Sequence, residues 1–159
     1  MPFYIRPAVP TDAPVIASFI RQLAEYERLS NAVTFSEEQI LQNLFSADAT
    51  AEVLLGYFNE QPVAFAVFFH NFSTFLGKRG LYLEDLFIIP EMRGRGFGRA
   101  MLKRLAEIAI ERDCGRFEWA VLDWNEPAVG FYKNLGAVPM EEWTTFRMSG
   151  EALKKLAGK

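Results

Sequence analysis

Apolar side chains recur along this chain at two spacings, every third or fourth residue and every second residue. The first spacing is typical of helices with one buried face, and the second is typical of strands. Helical spacing follows Thr11 and Asp12, either of which is a suitable N-cap, and the capping-box pair Ser36 and Gln39. The predicted elements are strand 3–8, helices 12–26 and 37–45, strands 52–58 and 62–69 joined by turn 59–61, strand 81–89, a helix ending near Arg112, strand 116–124, a helix from 125 to Gly136, strand 143–148 and a helical turn or two at 151–156.

This order predicts an α/β fold in a single domain that spans residues 1–159. Strands 81–89 and 116–124 are expected to be parallel, because a helix connects them. We therefore expect a mixed central sheet of six to seven strands, flanked by about four helices. The sequence shows no internal repeat, linker or low-complexity segment.

Candidate chemistry concentrates in the stretch from Leu81 to Arg99, LYLEDLFIIPEMRGRGFGR. Alternation assigns its apolar residues to two faces, Tyr82, Leu86 and Ile88 on one and Leu83, Phe87 and Ile89 on the other. Such a strand belongs in the middle of a sheet that is covered on both sides. Glu84 and Asp85 should then face opposite ways, and burial should raise the proton affinity of a carboxylate in so apolar a setting.

The strand leads into a basic, glycine-rich turn that opens a helix. Glycine permits backbone conformations and close approaches that a Cβ would block, and a helix start offers unpaired N–H groups to an anion such as phosphate. Two common phosphate motifs do not fit. Gly98-Arg99-Ala100 lacks the Lys-Ser/Thr of a nucleotide-hydrolase loop, and Arg99 stands where the dinucleotide fingerprint needs its third glycine.

The pattern Arg93-x-x-Gly96-x-Gly98 after an apolar strand instead resembles the acetyl-CoA pyrophosphate motif of the GCN5-related N-acetyltransferases (GNAT). Residues 125–137, NEPAVGFYKNLGA, are similar to a second segment of that superfamily. The strings LYLEDLF, WNEP, IRPA and LAxYE resemble its diamine (spermidine/spermine) and thialysine N-acetyltransferase branch. Two positions depart from the pattern. Leu135 replaces a basic residue typical of the branch, and Gly130 should soften its helix by up to ~1 kcal/mol relative to alanine.

The resemblance implies an enzyme that moves the acetyl group of acetyl-CoA to an amine by direct attack, without a metal. Acetyl-CoA would lie in a gap between the two parallel strands. Glu84 would accept the amine proton, directly or through water, and Tyr132 would protonate the departing sulfur. The implied cofactor-binding residues are Leu86, Phe87, Ile88, Arg93, Gly94, Arg95, Gly96, Phe97, Gly98, Arg99, Asn125, Pro127 and Ala128.

Acids stand beside aromatic residues at several places, a combination that suits an alkylammonium with an apolar stem. By the pattern of the branch, the acceptor site would include Tyr26, Glu27, Glu84, Glu118, Trp119 and one of Glu141 and Glu142. The expected acceptor is a small cationic amine, namely a diamine, a polyamine or a lysine-like amino acid such as thialysine.

Composition further narrows the classes of function that the chain could have. Half of the residues are hydrophobic, and a net charge of −3 argues against nucleic-acid binding while suiting a cationic substrate. The single cysteine excludes an internal disulfide and gives no metal cluster. With no leader peptide and no apolar run of about 18 residues, we expect a cytoplasmic protein without a membrane partner.

Other functions stay open at this point. A GNAT could acetylate a protein N-terminus, a protein lysine or an antibiotic instead. A regulatory protein that binds acetyl-CoA without turnover would need neither Glu84 nor Tyr132, and the presence of both favours an enzyme. Trp143 and Phe146 could form an exposed apolar face for a partner, for which a homodimer is the simpler use. Asp85, His70 and Cys114 are interpreted as structural.

Overall fold

A five-stranded mixed sheet organises the first 120 residues of the computed structural model, which describes residues 3–159. The chain divides into two units, the first extending to Ala120 and the second running from Val121 to Lys159. In the first unit the elements are β1 Phe3–Pro7, α1 Ala13–Tyr26, α2 Glu37–Phe45, β2 Glu52–Phe58, β3 Gln61–Ser73, β4 Lys78–Ile88, α3 Phe97–Glu111 and β5 Arg116–Trp119. The second unit contains α4 Glu126–Asn134 and α5 Gly150–Ala157.

The strands are ordered β1-β2-β3-β4-β5, so that each strand pairs with its neighbour in the chain. Pairing is antiparallel from β1 to β4 and parallel between β4 and β5, which confirms the prediction drawn from the helix between them. Asn59 and Glu60 both have positive φ, 50° and 66°, as a two-residue hairpin turn requires. The predicted turn was one residue too long, because Gln61 already belongs to β3.

Helices cover both faces of the sheet. On one face α1 and α2 enclose a core in which Phe19 stacks on Phe65 with ring centroids 5.0 Å apart. On the other face α3 packs against β3, β4 and β5 through Met101, Leu105 and other buried residues. Ser36 and Gln39 form the predicted capping box of α2. Asp12 is the N-cap residue of α1, but its carboxylate accepts hydrogen bonds from Arg6 and the Val9 N–H instead of capping the helix.

Strand β4 contains a β-bulge at Glu84. Leu83 pairs with Phe68 and Asp85 pairs with Val67, so Glu84 is an extra residue without a partner on β3. Because the bulge interrupts the alternation, Glu84 and Asp85 lie on the same face of the sheet, the face that α1 covers. The expectation that they face opposite ways was wrong, and so was the predicted grouping of apolar residues. Leu83 shares a face with Leu86 and Ile88, while Tyr82 shares one with Phe87.

Parallel pairing of β4 with β5 is short. It runs from Gly80–Arg116 to Leu83–Trp119, whereas β4 continues along β3 as far as Ile88. The edge of residues 84–88 that faces away from β3 therefore has no partner in β5. Strand β5 also ends at Trp119, five residues before the predicted end.

The regular secondary structure of the second unit consists of helices. The Asn125 side chain caps α4 by accepting from the Ala128 N–H at 3.4 Å, and Gly136, with φ of 95°, follows the helix end as predicted. Residues 143–148 form no strand, because the second unit provides no strand for them to pair with. Residues 3–159 thus contain five strands and five α-helices, where six to seven strands and about four helices were expected.

Within residues 3–159, no helix combines the length and the apolar character that crossing a bilayer requires.

Candidate active site

Three acids meet beside the bulge of β4. Glu84 is exposed, whereas Asp85 and Glu27 are half-buried. Burial, followed by the charges of Glu84 and Glu27, raises the pKa of the Asp85 carboxyl to about 7. The pKa of Glu27 is raised too, first by burial and then by Glu84. Burial therefore raises the proton affinity of both Asp85 and Glu27. The expectation of a buried Glu84 was wrong because this side chain is exposed at the bulge.

The last turn of α1 brings Tyr26 and Glu27 to this place. Phe19, earlier on the same face of α1, packs against Phe87 of β4 edge to face, and Tyr26 meets the same ring at a centroid distance of 6.5 Å. Glu27 is the C-cap, and its N–H donates to Leu23 O at 2.9 Å. Packing of the helix on β4 thus positions an acid from a distant part of the chain next to Asp85.

Arg93 ties the turn after β4 to the strand and to α1. Its Nε donates to Ile88 O at 2.9 Å, and its guanidinium carbon lies 4.6 Å from the Tyr26 ring centroid and 5.2 Å from that of Phe87. Arg95 similarly lies over the Phe58 ring, at 5.3 Å. The two arginines fix the start of the glycine-rich turn.

The turn presents main-chain amides at the start of α3. Gly94 and Gly96 have φ of 78° and 83°, which favours glycine, and Gly96 is the N-cap. The first helical hydrogen bond runs from Ala100 N to Gly96 O at 3.0 Å. The N–H groups of Phe97, Gly98 and Arg99 precede that bond and are the orphan donors of the helix. Gly98 has no positive φ, and a Cβ there would make only an ordinary contact with Ile88. The backbone conformation at this position therefore does not require glycine.

The unpaired edge of residues 84–88 lies between the bulge and this turn along the chain. A strand edge offers N–H and C=O groups to any extended chain that adds to it. Of the residues assigned to cofactor binding, Leu86 and Ile88 turn their main-chain groups to this edge, and Ile88 O already accepts from Arg93. Phe87 turns its main-chain groups toward Phe65 of β3, because hydrogen-bonded pairs alternate along the ladder from Ile89 and Val63. The first unit therefore combines a helix start with orphan N–H donors, an open strand edge and an acid cluster within residues 27–99.

Glu118 lies on the same face of the sheet as the acids at the bulge, whereas Trp119 does not. Glu118 pairs with Tyr82, so the two side chains share the face that carries Asp85. The pKa of the Tyr82 hydroxyl is raised by burial, then by Glu84 and Glu118, which places both acids within electrostatic range of that hydroxyl. Trp119 pairs with Leu83 on the opposite face, where its ring lies 4.9 Å from Phe117.

The remaining residues assigned from the sequence belong to the second unit. Asn125, Pro127 and Ala128 form the capped start of α4. Tyr132 is half-buried on that helix, with its ring 5.6 Å from Phe131. Glu141 and Glu142 are exposed in a turn.

Asp85 was interpreted from the sequence as structural, and the structure places it in the acid cluster. A bulge has no reliable sequence signal, and without it alternation assigns Asp85 to the wrong face. The one available signal was the pair of adjacent acids inside an otherwise apolar strand, which is costly unless it serves a purpose.

His70 and Cys114 lie apart from this cluster. His70 Nδ1 is 3.0 Å from Gly80 O, and its Nε2 is 2.9 Å from Arg112, which also forms an ion pair with Glu52. Cys114 Sγ is 3.8 Å from His70 Nδ1. These contacts join the start of β4 to the end of α3.

Comparison with known proteins gives consistent matches. A family model described as the acetyltransferase (GNAT) family matches residues 19–137. A thialysine N-epsilon-acetyltransferase of Sus scrofa is 42% identical over 166 residues, which cover 98% of this chain and 97% of the relative. The human spermidine/spermine N(1)-acetyltransferase-like protein 1 is 32% identical over 98% of this chain and 24% of its own length. In structure, the integron cassette protein VCH_CASS6 of V. cholerae aligns with a TM-score of 0.84 and 27% identity, covering 100% of this chain and 99% of that one.

Proposed function

This chain belongs to the acetyltransferase (GNAT) family, and we propose that it acetylates the side-chain amine of a lysine-like amino acid such as thialysine. It is an N-acetyltransferase of a small amine, and the resemblance to the diamine and thialysine branch is confirmed. The observation that carries the proposed acceptor is the cluster of Glu27, Glu84 and Asp85 at the bulge of β4, beside an unpaired strand edge.

The family uses acetyl-CoA, whose thioester supplies the acetyl carbonyl. The residues present fit it. The Phe97, Gly98 and Arg99 amides suit its diphosphate, and Arg93, Gly94, Arg95 and Gly96 shape that turn. The open edge of β4, with the N–H groups of Leu86 and Ile88, suits the amide-bearing pantetheine arm, which would add to it like a strand, and Phe87 lies between them in the strand. Asn125, Pro127 and Ala128 are included on the likeness of residues 125–137 to the family segment.

The amine must lose a proton before it can attack. Glu84, the exposed acid, meets the incoming ammonium, and the Glu84–Asp85 pair takes its proton. A carboxyl group with a pKa of about 7 suits this exchange at neutral pH, because it is neither too weak a base nor already fully protonated. Backbone N–H groups at the edge of β4 would donate hydrogen bonds to the carbonyl oxygen as negative charge develops on it. On the likeness to the family, the Tyr132 hydroxyl would give a proton to the departing thiolate.

The acids also explain why the acceptor is cationic. Glu27 and Glu84 each bring a carboxylate to a face that includes the rings of Tyr26 and Tyr82, and Glu118 lies farther along that face, beside Tyr82. Carboxylates bind ammonium groups, and the rings contact a methylene stem. Glu141 and Glu142 remain candidates for the same role on the likeness to the branch.

A homodimer is the oligomeric state that we propose. In the second unit Trp143 and Phe146 have 77% and 93% of their surface exposed. Exposed aromatic side chains this large, close together in sequence, are typical of an interface. The segment that was expected to form the last strand would then find its partner in a second copy.

The function is tested with a panel of acceptors at fixed acetyl-CoA, in which released CoA thiol is measured. We expect thialysine to be turned over with a higher kcat/KM than spermidine, peptides or arylamines. Preferred turnover of spermidine would support the polyamine specificity in the name of the human relative, and strict dependence on a peptide would overturn the proposal. Thermal melting with acetyl-CoA, compared with ATP and NAD, separately tests the donor site.

A further inference from the structure

A mixed cluster of charged and polar residues lies beyond Tyr82, on the same face as the acids at the bulge. Asn71, Gly80 and Arg116 are cross-strand neighbours on β3, β4 and β5, and Glu118 is the neighbour of Tyr82. The face therefore continues from Asp85 through Tyr82 to this second cluster. The rings of Phe69 and Tyr82, with centroids 5.2 Å apart, lie between the two groups.

Contacts within the cluster leave one carboxylate oxygen of Glu118 available to a ligand. Arg116 Nε lies 3.0 Å from Glu118 Oε1, and Asn71 Nδ2 donates to the same oxygen at 3.4 Å. Both donors converge on Oε1, so the structure leaves Oε2 to an outside donor. Arg116 contacts Glu118 through Nε, and its two Nη groups can form a planar fork for a carboxylate. The two side chains are 38% and 36% exposed, so a ligand can reach them.

This arrangement lowers the stability of the fold, and strand pairing alone does not explain why. Asn71 Oδ1 is buried and has no hydrogen-bond partner among the described residues. It lies over Gly80, where an added Cβ would be only 2.2 Å away. A buried acceptor without a partner lowers stability, and an apolar residue would avoid this cost. The other end of the amide offsets part of this cost by holding Glu118 in place.

We propose that Arg116 and Glu118 bind the amino-acid end of the acceptor, with Asn71 as a positioning residue. The Nη groups of Arg116 would hold the α-carboxylate, and Glu118 Oε2 would accept from the α-ammonium. Tyr82 and Asp85 are separated by at most about 10 Å along β4. An extended lysine-like side chain can cover this distance with hydrogen bonds at both ends, while its stem lies on Phe69 and Tyr82.

The inference rests on the proposed function and makes it more specific. A diamine or polyamine would bring a second ammonium next to the Arg116 guanidinium and would leave its Nη groups without a partner. An amino acid satisfies both charges. The cluster thus selects against acceptors that lack a carboxylate.

The test compares thialysine with bis(2-aminoethyl) sulfide, the same molecule without its carboxylate. For Arg116→Gln we expect KM for thialysine to rise about tenfold or more, because a charge-assisted pair is lost, with kcat nearly unchanged. KM for the diamine should stay the same or fall. Glu118→Gln should raise KM for both acceptors, since both carry the second ammonium. Arg116→Lys should recover part of the thialysine affinity.

Arg104→Gln is the matched control, since Arg104 is an exposed arginine on α3 that pairs with Glu107 and Glu111. It should change neither KM. Equal effects of Arg116→Gln on the two acceptors, or no effect on thialysine, would overturn the subsite while leaving the proposed function intact. If the parent protein acetylates neither compound, the proposed function fails and this inference fails with it.

Discussion

Among the residues of the candidate site, Asp85 is the one whose surroundings most directly affect stability and activity. It lies between Glu84 and Glu27, and burial together with these charges raises its pKa to about 7. In the unfolded chain the same carboxyl ionises near pH 3.8. Between these values the folded state binds the extra proton, so this group lowers stability as the pH rises from about 4 to about 7. A group that costs stability at neutral pH and lies beside an open edge is typical of an active site.

Asp85→Asn should therefore stabilise the protein and inactivate it. We expect a higher melting temperature than that of the parent at about pH 8, with a difference that shrinks as the pH falls toward 4. The kcat/KM for the amine should drop about 10²-fold or more and lose its rise near pH 7. Melting curves and rates across pH measure both effects. Asp48→Asn, at an exposed position after α2, is the control. A destabilised but fully active Asp85→Asn protein would show that Asp85 is structural.

Tyr132 carries the other proposed proton transfer. Tyr132→Phe removes only the hydroxyl, so it should lower kcat about 10²-fold while leaving acetyl-CoA affinity nearly unchanged. Steady-state kinetics and titration of the cofactor separate these two quantities. Tyr4→Phe, which removes a hydroxyl that contacts Glu60 on the surface, is the matched control. Equal kinetics for Tyr132→Phe and the parent would exclude this tyrosine from the mechanism.

At the scale of helices and strands, the features that depend on residues close together in the sequence were predicted correctly. The Ser36 and Gln39 capping box, the hairpin after β2 and the glycine-rich start of α3 all rest on neighbours in sequence, and all are present. The bulge at Glu84 was missed because it depends on how β3 and β4 pair. The strand expected at 143–148 was wrong for a related reason, since alternation describes a strand but does not supply its partner.

Helix α4 offers a test of local stability. Gly130 lies inside the helix, and an added Cβ there would meet nothing within 4 Å. Gly130→Ala should therefore raise the free energy of unfolding by up to ~1 kcal/mol, or the melting temperature by about 2–4 °C. Gly136→Ala, at a position with φ of 95°, should have the opposite sign and cost about 1 kcal/mol. A lower melting temperature for Gly130→Ala would mean that this position is packed in solution.

For the whole molecule, the proposed homodimer accounts for the exposed aromatic residues of the second unit. Light scattering should give twice the chain mass of 18.1 kDa. Replacing Trp143 and Phe146 together by Glu should shift the protein to the monomer, because two charges would be buried in the interface. Lys154→Glu, a charge change on exposed α5, serves as the control. A parent protein that is monomeric at all accessible concentrations would refute the dimer.

The central claim is that the acids at the bulge bind and deprotonate a side-chain amine, which then takes the acetyl group directly from acetyl-CoA. The most direct measurement is to identify the product formed from thialysine and acetyl-CoA by tandem mass spectrometry, together with the CoA released. We predict one acetyl group on the side-chain nitrogen for each thiol released. Acetyl on the α-nitrogen, or acetylated protein with unmodified thialysine, would contradict the account.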